Sequence, residues 1–411
     1  FSSRRRHTRF RNVTGVQTCA LPISALRTAA GQAFYNISPF RLADLTATGN
    51  AQQLAANFEA YLNGFSDNVK EIVENFKFKN QLDTLSRVDA LAQLIARFTS
   101  PDVDLSPQAV DNHAMGTIFE ELVRRFNEEN NEEAGEHWTP RDAVRLMAEL
   151  TFRPVADRLL SGTYTVYDGA CGTGGMLTVA DDTLQAIAVA RNQAVVTRLY
   201  GQEINPETYA VCKADMILKG EGDNADNIAD RSTLADDAFR KDTFDFMLSN
   251  PPYGKSWKRD LDQLGGKDGI TDHRFRVMHR GEELSFVTRS SDGQMLFLAN
   301  LAAKMRHDTP IGSRVAEVHN GSSLFTGDAG SGESNIRRWL IESDWIEAII
   351  ALPTNLFYNT GIATYIWLLD NDKAAERKGK VQLIDATAQF EKMRKNLGDK
   401  RKEIKIGRAH V

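Results

Sequence analysis

Hydrophobic positions along the chain follow two regimes. From Ala25 to about Asn130 they recur at three- and four-residue spacing: Leu54, Phe58, Leu62 and Phe65, then Leu82, Leu85, Leu91, Leu94, Ile95 and Phe98. That period marks helices burying one face. Ser106-Pro107 has the form of a cap followed by proline at the first helical position. Met115, Ile118, Phe119, Leu122 and Phe126 then make one apolar stripe. Residues 25–130 are therefore expected to form a helical N-terminal domain concerned with packing and partner contact. After Trp138 the text changes to short apolar runs: Tyr164–Asp168, Arg198–Glu203, Phe244–Ser249, Arg314–Val318, Trp345–Leu352, Thr364–Leu369 and Val381–Asp385. Helical patterns such as Gly175–Ala190, Pro206–Lys219 and Gln294–Arg306 separate them. Strand–helix alternation predicts an α/β domain with a mostly parallel sheet over residues 131–404. Lys255–Ser291 is charged and weakly periodic, and too long for an ordinary connection, so a functional or mobile loop is expected there.

Residues 1–24 and 405–411 share neither period and are expected to be non-native or disordered segments outside the fold; the first could also be a basic arm. The tail follows a charged run of helical character. The remaining composition narrows the function. The chain has 411 residues, 42% hydrophobic and 26% charged, an ordinary globular balance for two or three domains. No run of about 18 apolar residues suggests a membrane span. Cys19, Cys171 and Cys212 are far apart; they form neither a zinc spacing nor a disulfide framework, which suits a cytoplasmic protein with no metal. The net charge is −5, and the first 24 residues hold five arginines and no acid, leaving −10 for the rest. A protein this acidic is not expected to grip a nucleic acid unaided, because phosphate contact needs a basic surface.

Three segments carry chemistry. Asp168-Gly169-Ala170-Cys171-Gly172-Thr173-Gly174-Gly175 follows a strand and opens a helix. Its glycines allow a sharp turn and close approach to a ligand, and in open α/β sheets cofactors lie at the carboxyl ends of the strands. No Lys-Ser/Thr follows, so it is not a phosphate loop. A leading acid and small residues favour a cofactor with a cationic, amino-acid-like end over a dinucleotide; a plain strand–helix turn remains the alternative. Glu203 ends the next strand, where an acid can accept both ribose hydroxyls of a nucleoside; a solvated strand end is its bland reading. Asn250-Pro251-Pro252-Tyr253 ends the strand DFMLS. Two prolines stop pairing and stiffen the backbone. The asparagine carbonyl and a proline carbonyl can then accept from one exocyclic amine, and Tyr253 offers a face for a flipped-out base. Taken alone, the box could be a turn with a core tyrosine.

The glycine-rich loop and the Asn-Pro-Pro-Tyr box resemble those of amino-methyltransferases. Ala114–Ala148, Arg289–Leu298 (RSSDGQMLFL), Ser323–Trp339 (SLFTGDAGSGESNIRRW) and Ala351–Ile362 (ALPTNLFYNTGI) narrow the resemblance to the modification subunit of type I restriction–modification systems. The likeness runs from Ala25 to about Ile404. It implies a helical N-terminal domain followed by a Rossmann-like methyltransferase domain that uses S-adenosyl-L-methionine and methylates adenine N6 in double-stranded DNA. It further implies a specificity subunit that reads the bases, a restriction subunit in the full complex, and two modification subunits per specificity subunit. It places Asn250, Pro251, Pro252 and Tyr253 at the transfer site. Asp168, Ala170, Cys171, Gly172, Thr173, Gly174 and Glu203 fall on the cofactor, with a further contact segment at Glu136, His137, Trp138, Thr139, Pro140 and Arg141. Two departures stand out. Where the family often shows Gly-Asp-Thr-Leu, this chain reads Arg231-Ser232-Thr233-Leu234, leaving the acid at the cofactor's adenine open, with Asp230 adjacent. The family also usually continues beyond the point where this chain stops, so a catalytically impaired cofactor-binding subunit remains an alternative, as does a protein-glutamine methyltransferase.

Overall fold

A computed structural model describes residues 22–405, apart from 48–49, 107–108, 111–113, 116–117, 120–121, 123–124, 126–138, 359 and 398. Glu136, His137, Trp138 and most of the expected helix after Ser106 lie outside the described residues, as do 1–21 and 406–411. The chain forms two compact units, one of Phe1–Glu132 with Pro206–Ile228, the other of Glu133–Asn205 with Ala229–Val411.

The first unit is helical: α1 (Ile23–Ala30), α2 (Ala51–Asn63), α3 (Asp67–Asn75), α4 (Phe78–Arg87) and α5 (Ala90–Phe98), joined by the helix Pro206–Leu218. Asn50 caps α2, its side-chain oxygen accepting from the Gln53 amide at 2.7 Å, a bond worth about 1 kcal/mol of helix stability. Leu54, Phe58, Leu62 and Phe65 are buried as their spacing predicts. The second expected stripe divides. Leu82, Leu91 and Ile95 are buried, whereas Leu94 and Phe98 are 40% and 55% exposed. The cause is a helix break at Asp89, whose φ is +52°; the run belongs to two helices, and α5 turns only its Leu91–Ile95 row inward.

The second unit is built on an eight-stranded sheet in the order β10-β8-β9-β7-β4-β1-β2-β3. The strands are β1 (Gly162–Asp168), β2 (Val195–Glu203), β3 (Ile228–Asp230), β4 (Phe246–Ser249), β7 (Arg314–Asn320), β8 (Ile346–Ala351), β9 (Thr364–Asp370) and β10 (Gln382–Asp385), with β5 (Arg276–His279) and β6 (Glu282–Ser285) in a separate hairpin. β1 runs parallel to β2 and β4, and β4 parallel to β7; β9 is antiparallel to both neighbours. Its helices are α6 (Arg141–Phe152), α7 (Gly175–Ala190), α8 (Lys258–Gln263), α9 (Gln294–Ala303), α10 (Ser322–Phe325) and α11 (Gly332–Glu342). One buried cluster joins Met247, Val315 and Trp367 of the sheet to Leu298 of α9 and Trp339 of α11. The expected strands form, and α7 spans the predicted Gly175–Ala190.

Two expectations are corrected. Lys255–Ser291 is folded, containing α8 and the antiparallel β5–β6 hairpin. Arg274 holds it in place: 1% exposed, it donates to the Thr233 carbonyl (2.7 Å), Asn300 Oδ1 (2.8 Å) and the Asp272 carboxylate (2.8 Å). The charged run before the C-terminal tail is not helical but a hairpin, β11 (Glu391–Leu397) with β12 (Lys400–Glu403). The ammonium of Lys400 explains this. It is buried against the Asp142 carboxylate (3.0 and 3.1 Å) and the carbonyls of Leu356 and Lys402 (2.9 Å each), partners that local spacing does not reveal.

Candidate active site

Parallel pairing sends the carboxyl ends of β1, β2, β4 and β7 to one edge of the sheet. Chain order reverses between β1 and β4, opening the crevice in which α/β sheets bind ligands. The loop after β1 is shaped by Gly172 and Gly174, with φ of +54° and +81°, values that side chains with a Cβ rarely adopt. The Cys171 amide donates to the Gln202 carbonyl (2.9 Å) and the Gly174 amide to the Cys171 carbonyl (2.8 Å). Glu203 is buried and anchors the same loop: Oε2 accepts from the Gly172 amide at 3.0 Å and Oε1 from the Asn205 amide at 2.7 Å. From behind, the Thr233 hydroxyl donates to the Gly169 carbonyl. A Cβ at Gly169 would stand 3.2–3.3 Å from the Tyr167 hydroxyl, the Asn300 amide and the Thr233 methyl, so the backbone approaches its neighbours as only glycine permits comfortably.

Asp168 is 1% exposed. Its Oδ1 accepts from the Ala170 amide (3.0 Å) and the Ser249 hydroxyl (2.6 Å). Burial pushes its carboxyl up to about 7, opposed by those two hydrogen bonds and reinforced by the Glu203 charge. Among the described residues no cationic side chain pairs with it. A buried carboxylate without a counter-ion is costly, so this position fits a ligand that brings positive charge. Ser249 ends β4, so its bond ties the cofactor loop directly to the strand that carries the Asn-Pro-Pro-Tyr box.

In that box, Asn250 donates through Nδ2 to the Thr139 hydroxyl oxygen at 2.9 Å. Its Oδ1 is buried and, among the described residues, has no hydrogen-bond partner. Buried acceptors are ordinarily satisfied; this oriented carbonyl at the crevice can accept from an incoming donor. Pro251 is buried, while Tyr253 is half-buried, and burial raises its phenol to about 12. It therefore stays neutral at working pH.

Beside β4 lies a feature with no sequence signal. Ser249 is in register with Glu317 on β7, and Glu317 with Trp367 on β9. Glu317 and His319 are fully buried, 3.3 Å apart, but so aligned that, among the described residues, all four polar atoms of the two side chains, and the Trp367 indole nitrogen, lack hydrogen-bond partners. Burial holds the Glu317 carboxyl well above the usual carboxylate range, helped by the Asp168 charge, and lowers the His319 imidazole to about 3. The imidazole is therefore uncharged near neutrality.

Asp168, Ala170, Cys171, Gly172, Thr173, Gly174, Glu203 and Asn250–Tyr253 thus lie along one sheet edge. Thr139 is drawn to the Asn250 amide, and Pro140 and Arg141 open α6. Arg231 is exposed and Thr233 turns to the back of the glycine loop. The supports missed by sequence reasoning are Ser249, Thr233, Arg274 and Thr139 in its role toward Asn250.

The family model for N-6 DNA methylase matches residues 110–406, and that for the HsdM N-terminal domain matches residues 12–98. This chain belongs to the N-6 DNA methylase family. The methylase subunit of type I restriction enzyme MjaIX from Methanocaldococcus jannaschii is 26% identical over 78% of this chain and 51% of its own length. That of MpnII from Mycoplasma pneumoniae is 27% identical over 75% of this chain and 53% of its own. The chain therefore spans about half the length of these curated relatives. Its fold is also that of the type I restriction–modification methyltransferase subunit from Streptococcus thermophilus, with a TM-score of 0.64 at 24% identity, covering 89% of this chain and 70% of that one. The helical N-terminal unit and the mostly parallel sheet are those the resemblance implied. Among the described residues no helix is long and apolar enough to cross a membrane.

Proposed function

We propose that this protein transfers a methyl group from S-adenosyl-L-methionine to N6 of adenine in double-stranded DNA, as the modification subunit of a type I restriction–modification complex in the cytoplasm. The observation that carries this reading is the vacant, buried carbonyl of Asn250, oriented by Thr139 and joined through Ser249 to the uncompensated carboxyl of Asp168. One group awaits an amine and the other a cation. The cofactor supplies an electrophilic methyl on a sulfonium. Asp168 and the glycine loop hold its charged amino-acid end, and Glu203 accepts from the ribose while bracing the loop. Asn250 Oδ1 and the Pro251 carbonyl accept from the adenine amine. They gain strength as positive charge develops on nitrogen, which is transition-state stabilisation. Tyr253 stacks on the flipped base. Alignment of amine and methyl supplies much of the rate.

An acidic chain needs a partner for sequence-specific grip. A specificity subunit reads the target, two modification subunits flank it, and a restriction subunit joins the full complex. The test is incubation of this chain and its specificity partner with methyl-labelled cofactor, duplex DNA and total protein, followed by nucleoside analysis. Label in N6-methyl-2′-deoxyadenosine supports the proposal. Label confined to protein glutamine, or cofactor binding with no transfer to DNA, refutes it.

A further inference from the structure

The segment immediately after Tyr253 is held against the segment Thr288–Gln294, part of the RSSDGQ stretch to which the reaction above gives no role. Four bonds link them. The Gly254 amide donates to Asp292 Oδ1 (3.2 Å), the Ser256 hydroxyl and the Trp257 amide to the Ser290 carbonyl (2.9 and 3.0 Å), and the Trp257 indole to the Arg289 carbonyl (2.9 Å). Gly293 leaves room for the indole: a Cβ there would stand 3.2 Å from the Trp257 side chain. Only the first of these bonds reaches the residue next to Tyr253, and its acceptor is a buried carboxylate, 6% exposed.

That carboxylate is a junction. Asp292 also accepts from the Gln294 amide (3.2 Å), Gln294 Nε2 (2.7 Å), the Arg289 guanidinium (3.2 Å) and the Ser322 hydroxyl (3.3 Å). Gln294, the first residue of α9, passes the connection on to the end of β7. Its Nε2 donates to Asn320 Oδ1 (2.9 Å) and its Oε1 accepts from the Asn320 amide (3.2 Å). Glu333 of α11 fixes the segment from the other side by accepting from the Arg289 amide at 3.1 Å. The backbone behind the base-stacking tyrosine is thereby referred to three rigid elements: α9, β7 and α11.

Gly254 needs such a tether. Its φ of +70° lies in the left-handed region that glycine favours, and its amide finds its acceptor outside the Asn-Pro-Pro-Tyr box, on Asp292 Oδ1. A glycine left untethered at this position would let the Tyr253 ring sample orientations in which no base can stack.

We infer that Asp292, linked through Gln294 to Asn320, is a positioning residue that locks the Gly254 backbone and so sets the Tyr253 face for the flipped base. The inference rests on the base-binding reading of Tyr253 given above. It assigns Asp292 no contact with substrate or cofactor.

The test uses the full chain bearing Asp292→Asn, which keeps size and shape but replaces one carboxylate oxygen by an amide that repels the donors around it. Gln294→Ala, which leaves the Gly254 bond but removes the direct Gln294 link to Asn320 while the Ser322 hydroxyl stays on Asp292, is the companion variant. Amide hydrogen exchange across residues 250–258 reads the lock directly and needs no activity. Hydrogen bonds to a charged group correspond to roughly tenfold to a hundredfold in an equilibrium. Exchange at Gly254 should accelerate by about that factor in Asp292→Asn and by less in Gln294→Ala, with the melting temperature checking that both remain folded. In the complex with the specificity partner, the signal of a fluorescent purine at the target position should show a less firmly stacked base. Single-turnover methylation should fall about tenfold, while cofactor affinity stays within about twofold. Unchanged exchange at Gly254 in a folded Asp292→Asn chain overturns the inference. A loss of cofactor affinity equal to the loss of rate would also overturn it, since that would place the effect in the cofactor loop. Should the wild-type complex methylate no DNA, the functional reading fails, and the exchange measurement still decides whether the lock exists.

Discussion

If Asp168 holds the cationic end of the cofactor, as proposed, its carboxyl makes cofactor binding a titration. With burial raising it to about 7 and no counter-ion beside it, the group is half protonated near neutrality in the free protein. A cationic ligand end favours the ionised form, so binding must expel the proton. The sign follows: affinity is weak at low pH and rises as pH passes through the free-protein value. If the ligand-bound carboxyl stays ionised throughout, the apparent dissociation constant at pH 6 is about elevenfold above its plateau, and at pH 7 about twofold. The protons released per ligand fall from about 0.9 to about 0.5 over that interval. The useful window closes near pH 7.5, because an α-amino group itself begins to lose its proton near 8. Titration calorimetry between pH 5.5 and 7.5, in pairs of buffers with different heats of ionisation, yields affinity and proton count together. Asp168→Asn should bind more weakly with an affinity nearly independent of pH. Glu317→Gln should retain the pH profile, which separates the two neighbouring acids. A flat affinity with no proton release in the wild-type chain would refute the placement of positive charge at Asp168.

The remaining expectations concern the transfer step and the DNA. Asn250→Ala removes an acceptor used most as charge develops on the amine; by comparison with single oxyanion donors, worth about 2.7–4 kcal/mol, single-turnover methylation in the complex should fall roughly a hundredfold to a thousandfold, with cofactor affinity little changed. Thr139→Val frees the Asn250 amide to rotate and should lower the same rate by about tenfold, the effect of one ordinary hydrogen bond. Tyr253→Ala should weaken target-base binding by about 1–3 kcal/mol as well as rate, whereas Tyr253→Phe should be mild because the ring face survives. The chain without its specificity partner should bind duplex DNA weakly and without sequence preference, losing the complex as salt rises; tight binding to one short sequence would contradict the charge argument.

The legible parts of this protein were those encoded locally. Val166, Phe246 and Ile366 sit in runs whose length and bounding turns mark buried strands, and all three are buried. The glycine loop and Asn250–Tyr253 announce themselves because their backbone constraints are written in Gly and Pro. Arg274 was illegible for the opposite reason. A fully buried arginine is tolerated here through Asp272 and through partners 26 to 41 residues away, and in sequence it looks like one more charge in a charged loop. Lys400 misled in the same way, its run resembling an exposed helix until Asp142 is seen beneath it. The seam at Ser249 was equally silent, since one hydroxyl at the end of a strand carries no pattern.

Under the proposed function, that seam bears on any attempt to retool the protein for bulkier transferable groups. Ser249 touches Asp168 on one side and is covalently next to Asn250 on the other, so a substitution there perturbs both sub-sites at once. Side chains at Ala170 and Thr173, half-buried and on the loop alone, offer a way to reshape the cofactor side while leaving the amine acceptor in place.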